Sequence, residues 1–300
     1  VGVRRMDWLT EFPQLDASWL LAAKRFIDGS LKALTRSYGQ GIEDFFYPLK
    51  QVLVFFEAVM VNAPWPLVMV VFGAIAWFAA RRWTEVAAVV LTLAAIGLIG
   101  LWEDTMMTIS LVLSATIFSI AIGIPLGISM NRYKRLGAAM KGVLDVMQTM
   151  PPFVYLIPVV MLLGIGRVPG FIAVVVYAVP PIIRLTDLGI RLVDKEVLEA
   201  ADAFGCSRSQ KLWKVQMPLA IPTVMAGINQ TIMMALGMVV IASMIGVQGL
   251  GLNVLQAIAN QYFTQGILNG FAIVGIAIVF DRISQAYGQR LQAHRGSTHD

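Results

Sequence analysis

Nucleophilic and acid–base catalysis need a nucleophile, a base and a group that orients them, and this sequence offers no such set. Its two histidines, His294 and His299, sit near the C-terminus without partners, and its single cysteine, Cys206, lies in a turn. No cluster of His, Cys, Asp and Glu has metal-ligand spacing, so no metal site is expected. A G-x-x-x-x-G-K-[ST] phosphate loop is also missing, so the chain is not expected to bind ATP in that way. Carboxylates that relay ions across a membrane lie near its midplane. Here Glu85, Glu103, Asp104, Asp145, Asp187 and Asp281 all fall near the ends of apolar runs. The chemistry left inside those runs is hydrogen bonding by uncharged groups: Asn229-Gln230-Thr231, with Gln148 and Thr149. Two readings stand for them, the lining of a translocation pathway or hydrogen bonds between helices.

A second group of residues points to mechanical work. Between Arg184 and Met217 the chain turns polar, and it holds Glu199-Ala200-Ala201, then Gly205 after three residues, then Val215-Gln216-Met217-Pro218 after nine more. Val193, Val197, Ala200, Ala201 and Phe204 share helical spacing over residues 193–204, with acids early in that stretch, where the helix dipole favours them. Gly205 supplies a backbone that leaves the helix through positive φ. Ser207 is expected to cap a second helix running through Trp213, with Lys211 inside it, and Pro218 to open the next apolar run. The segment reads as a helix–turn–helix standing off a bilayer, shaped to be gripped by another protein.

The elements that must position these groups follow from composition. The chain has 300 residues, 58% hydrophobic and 14% charged, with a mean hydropathy of +0.74. A span needs about twenty apolar residues, and about seven runs qualify: 64–80, 84–102, 105–130, 143–163, 168–188, 218–246 and 266–283. Runs of this length exclude barrel strands, so the fold class is all-α and polytopic. Residues 49–63 are too short to span; an eight-span alternative would use them. Trp19, Leu20, Ala23, Phe26, Ile27, Leu31, Leu34 and Tyr38 gather on one helical face opposite Lys24, Arg25, Asp28, Lys32 and Arg36, as in a helix lying at a membrane surface or packed on the bundle. Basic residues concentrate at one set of span junctions, while the other set holds only Arg167. That bias places the polar loop and the C-terminus in the cytoplasm and, with seven spans, the N-terminus outside. The net charge of +5 reports this topology, and no nucleic-acid surface is expected. Met150-Pro151-Pro152 and Val179-Pro180-Pro181 read as paired breaks or kinks, and Pro125, between Gly123 and Gly127, as a kink or a close helix contact. Gly246-Val247-Gln248-Gly249-Leu250-Gly251 reads as a tight, mobile outer turn, and the tail after Arg282 as poorly ordered.

The Glu199–Pro218 pattern resembles the "EAA" loop of ABC-importer permeases, departing only at Val215 and Met217, both apolar replacements. Asp145–Pro158, Pro180–Thr186, 218–246, Ile245–Gly251 and Asp281–Gln285 further resemble the glycine betaine/proline (osmoprotectant) branch, over residues 62–285. The resemblance implies an ABC-importer permease core at 63–285, with a coupling loop at 189–217, between an amphipathic N-terminal segment (1–62) and a polar tail (286–300). It implies a bacterial inner membrane location and cytoplasmic ATPase subunits that carry ATP and Mg and dock on Glu199, Ala200, Ala201, Gly205, Ser207, Lys211, Trp213 and Pro218. It further implies an extracytoplasmic substrate-binding protein, a second permease copy and surrounding membrane lipid. No cofactor is implied for this chain. The alternatives are a permease for another small solute, or an ion-gradient-driven carrier or channel.

Overall fold

The computed structural model describes residues 16–296, with the side chains of the last helical turns omitted. Helix α1 runs from Ala17 to Asn62, and the Asp16 carboxylate caps it by accepting from the Ser18 N–H. The sequence predicts two separate segments here, yet the helix passes through Pro48 unbroken. Proline removes one ladder bond and bends a helix, but packing beyond it can carry the helix through. Leu49 and Leu53 beyond Pro48 reach the core, while Trp19, Phe26 and Ile27 before it are exposed. The side chains of Leu31, Leu34, Arg36 and Tyr38 lie outside the described set.

Among the described residues nine further helices and a short hairpin follow: α2 (Trp65–Ala80), α3 (Trp83–Leu98), α4 (Trp102–Arg132), α5 (Lys134–Thr149), α6 (Pro152–Leu163), α7 (Arg167–Arg191), α8 (Lys195–Ala203), α9 (Arg208–Gln210), a π-helical turn (Lys211–Gln216), α10 (Met217–Ser243), α11 (Leu250–Ala259) and α12 (Phe263–Gly296), with α8, α9 and the π-helical turn forming the hairpin. Among the described residues, α4, α7, the continuous helix Arg208–Ser243 and Phe263–Gly288 are each long and apolar enough to cross a bilayer. Two bent pairs, Gly39–Asn62 with α2 and α5 with α6, bring the number to at most six; α3, an apolar helix of 16 residues, is shorter. The predicted run 143–163 is therefore not one straight helix but the two arms of a bent pair. Met150 is extended, as residues before proline tend to be, and α5 and α6 meet at 102°.

Helix α7 is the axis of the core, buried along most of its length between α4 and α10. Glycines permit the approach. A Cβ at Gly127 would lie 2.6 Å from Thr186 Cβ and 2.7 Å from the Ile183 carbonyl, and one at Gly227 would lie 3.2 Å from Ile182 Cδ1. Gly123 faces the same Ile182. The small-residue contact expected at Gly123 and Gly127 is thus made against α7. Pro125, Pro180 and Pro181 lie inside helices that continue past them, so of the five predicted hinge or kink prolines only Pro151 and Pro152 stand at a break between helices.

Two expectations about the ends of the bundle are corrected. The glycine-rich segment after Ser243 is clamped rather than mobile: the Leu250 N–H donates to Thr108 Oγ1 at 3.0 Å, and Asn253 Nδ2 donates to Asp104 Oδ2 at 2.7 Å. A Cβ at Gly251 would meet the Val239 carbonyl at 2.6 Å, so glycine there is a packing requirement. The polar stretch 286–296 continues α12 as helix; Arg290 anchors it by donating to the Phe78 carbonyl at 2.6 Å. Residues 1–15 and 297–300, His299 included, lie outside the described residues.

Candidate functional site

The polar interval folds as a hairpin closed at every turn. Asp194 caps α8 by accepting from the Glu196 N–H at 2.9 Å. At the other end the Gly205 N–H bonds to the Asp202 carbonyl at 2.9 Å and the Cys206 N–H to the Ala201 carbonyl at 3.0 Å. These two bonds form a Schellman motif, which needs a left-handed residue between them; Gly205 has φ +72. Ser207 then opens α9 through a reciprocal capping box: its hydroxyl accepts from the Gln210 N–H at 3.3 Å, and its own N–H donates to Gln210 Oε1 at 2.8 Å. Such a box satisfies two backbone donors at once.

The second arm does not end at Trp213 as the sequence predicts. It passes through a π-helical turn, Lys211–Gln216, directly into α10. Pro218 lacks the N–H that an α-helix would direct to Lys214, and the Met217 N–H reaches back five residues to the Leu212 carbonyl. The widened turn thereby absorbs the proline inside one continuous helix. The hairpin's second arm is in this way continuous with α10.

The hairpin's faces divide by burial. Val193 and Ala201 are buried, and α8 packs against the π-helical arm. Glu199 and Ala200 are exposed. Phe204 is 89% exposed and Trp213 59%, so two large apolar groups of the hairpin lack cover in this chain. Lys211 Nζ lies 2.6 Å from Asp202 Oδ2 and ties the arms together. At the hairpin's base Arg191 pairs with the buried Asp187 at 2.8 Å, and Arg184 pairs with Asp145 of α5. The arrangement is a hydrogen-bonded hairpin that exposes aromatic and acidic side chains. Sequence reasoning missed Asp194, Gln210 and the Asp202–Lys211 tie. The first two were readable as capping residues at local spacing; the third depends on how the arms fold back.

The membrane-embedded candidates are dispersed. Asn229 Nδ2 donates to Asp281 Oδ1 at 2.9 Å, and Asn229 Oδ1 accepts from Ser284 Oγ at 2.6 Å, so its amide joins α10 to α12. Gln285 Nε2 also donates to Asp281 Oδ1, at 2.7 Å. Thr231 is fully buried, and Gln230 is exposed. Gln148 and Thr149 are exposed at the end of α5, where the Thr149 hydroxyl donates to the Val146 carbonyl at 3.0 Å. Among the described residues no group of three or more potential metal ligands occurs.

Comparison with known proteins agrees with this geometry. Residues 119–293 match the family described as "Binding-protein-dependent transport system inner membrane component". The chain is 48% identical over 242 residues to the glycine betaine/proline betaine transport system permease protein ProW of Escherichia coli (strain K12), covering 81% of this chain and 68% of the relative. It is 48% identical to the ProW of Salmonella typhimurium, of which it spans 62%. It is also 47% identical over 233 residues to the glycine betaine/carnitine transport permease protein GbuB of Listeria monocytogenes, covering 77% of this chain and 82% of the relative. The inward-facing MetNI methionine ABC transporter aligns with a TM-score of 0.57 over 64% of this chain and 95% of that one at 18% identity, a likeness of fold.

Proposed function

The chain belongs to the family of binding-protein-dependent transport system inner membrane components, multi-pass permease subunits of ABC transporters, and from that premise we propose that it forms the membrane pathway of an importer for glycine betaine and related compatible solutes. The solute class rests on the relatives, whose names specify glycine betaine with proline betaine or carnitine. ATP is hydrolysed by separate cytoplasmic subunits, and this chain needs no cofactor of its own. Those subunits grip the Glu199–Pro218 hairpin, an extracytoplasmic binding protein delivers the solute, and two copies of the permease enclose the pathway within lipid. The C-terminus is cytoplasmic and the N-terminus external.

The observation that carries the reading is the hairpin itself. Its turn and helix caps are hydrogen-bonded within the hairpin, yet Phe204 and Trp213 stand uncovered at its surface. Exposed aromatic side chains on a preorganised support are the kind of group that anchors a binding hot spot. Continuity of its second arm with α10 converts a push on the hairpin into movement of a spanning helix. Gln148, Thr149 and Gln230 are our candidates for contact with the solute. Asn229 and Thr231 support the pathway from behind, one through its bonds to α12 and the other within the core. Pro151-Pro152, at the α5–α6 bend, serves as a hinge, while Pro125, Pro180 and Pro181 shape helices that move as units.

Co-purification tests the reading. Wild-type chain should retain an ATPase subunit through detergent extraction, and Phe204→Ala with Trp213→Ala should lose it while remaining folded. Retention by the double variant would overturn the assignment of this surface.

A further inference from the structure

A cleft of about 300 Å³ lies between the α2–α3 turn and α12, lined by Ala80, Arg82, Glu85, Arg282, Gln285, Ala286 and Arg290. Three guanidinium groups share it with one carboxylate. Arg282 meets Glu85 only at 3.5 Å, a distance that leaves most of its donors unused. Arg290 spends one donor on the Phe78 carbonyl in the last turn of α2. Arg82 has no ion-pair partner among the described residues. The cleft therefore carries net positive charge and presents planar donor forks suited to an oxyanion.

Its depth is fixed by two independent features. Trp77 and Trp83, whose ring centroids are 4.4 Å apart, flank the turn, and paired tryptophans of this kind sit at the boundary between hydrocarbon and headgroups. The turn itself is forced: Arg81 adopts φ +53, with its N–H held by the Trp77 carbonyl. That left-handed residue ends α2 at once and places Arg82 at the cleft, at the headgroup level. Helix α12 supplies the other wall along one row, with Arg282, Ala286 and Arg290 at successive intervals of four residues.

We propose that this cleft binds the phosphate of an anionic phospholipid in the leaflet on the hairpin side, with Arg82, Arg282 and Arg290 as its ligands and Glu85 as a counter-charge that keeps the arginines apart when it is empty. Basic pockets between membrane helices recognise such headgroups, and each surface arginine strengthens the attraction by about fivefold. The bound lipid would join the α2–α3 pair to the end of α12. The proposal is independent of the solute carried.

The test is native mass spectrometry of the full chain released from nanodiscs containing phosphatidylcholine and phosphatidylglycerol. Wild type should retain phosphatidylglycerol selectively, and Arg82→Gln should reduce retention by about fivefold. The triple variant R82Q/R282Q/R290Q should abolish it, whereas R82K/R282K/R290K should keep part of it. Excess inorganic phosphate should not displace the lipid. Equal retention of the two lipids by wild type, or unchanged retention by Arg82→Gln, would overturn the proposal. Displacement by inorganic phosphate would also overturn it, assigning the cleft to a soluble anion. Arg82 makes no ion pair among the described residues, so its single variant tests the site even if the triple variants fail to fold.

Discussion

Asp202 on α8 and Lys211 on the π-helical arm hold their charged groups 2.6 Å apart, bridging nine positions of sequence across the turn at Gly205. Exposed ion pairs of this kind add about 0–1 kcal/mol, so the tie matters for the angle between the arms more than for stability. Lys211→Glu is expected to leave membrane insertion and melting temperature nearly unchanged while lowering solute-stimulated ATPase activity of the assembled transporter. The swap Asp202→Lys with Lys211→Glu should recover much of it. No difference between the single variant and the swap would remove the pair from the coupling path.

Gly205 gives a sharper test, because nothing lies within 4 Å of the Cβ it lacks. Replacement there is opposed by backbone conformation alone, at φ +72. Gly205→Val should cost about 1–3 kcal/mol locally and uncouple ATP hydrolysis from uptake; Gly205→Asn, which tolerates left-handed backbone, should retain part of the activity. Uptake assays in proteoliposomes separate the two, and equal activity would show that the turn is not required.

The core contact between α4 and α7 should fail differently. Gly127→Val must displace Thr186 or the α7 backbone, an overpacking of about 1–3 kcal/mol. Thermal unfolding in detergent should reveal a lowered melting temperature, and copurifying ATPase should fall only in proportion to folded protein. Wild-type stability would contradict the packing described for this pair.

Asn229→Leu removes the link from α10 to Asp281 and Ser284. A membrane hydrogen bond of this type contributes about 0.6–2 kcal/mol, and Asp281 would keep Gln285 as a donor. The expected result is lower thermal stability with an unchanged solute concentration for half-maximal uptake. A large change in that concentration with stability intact would instead place Asn229 among the solute contacts.

Local signals in the sequence carried far, and long-range ones did not. Glycine at 205 and serine at 207 announced the hairpin because capping chemistry acts over three to five residues, within reach of inspection. Gln210 sat at capping-box spacing and was equally readable. The Asp202–Lys211 tie was not, since it exists only after the turn reverses the chain. Apolar runs located the helices, but hydropathy could not register the 102° bend at Met150–Pro151, where adjacent prolines were the better signal. Pro48 and Pro218 looked like boundaries and are helical, because packing beyond Pro48 and a π-helical turn before Pro218 accommodate them. The polar end of α12 looked loose for want of apolar periodicity; its anchor is a tertiary bond from Arg290 to the Phe78 carbonyl.

Reconstitution with and without the motor tests the central claim most directly. Proteoliposomes holding this chain with its ATPase and binding protein should accumulate glycine betaine against a gradient when ATP is supplied on the ATPase side, and those holding this chain alone should not. Accumulation by the chain alone, driven by an imposed ion gradient, would contradict the account.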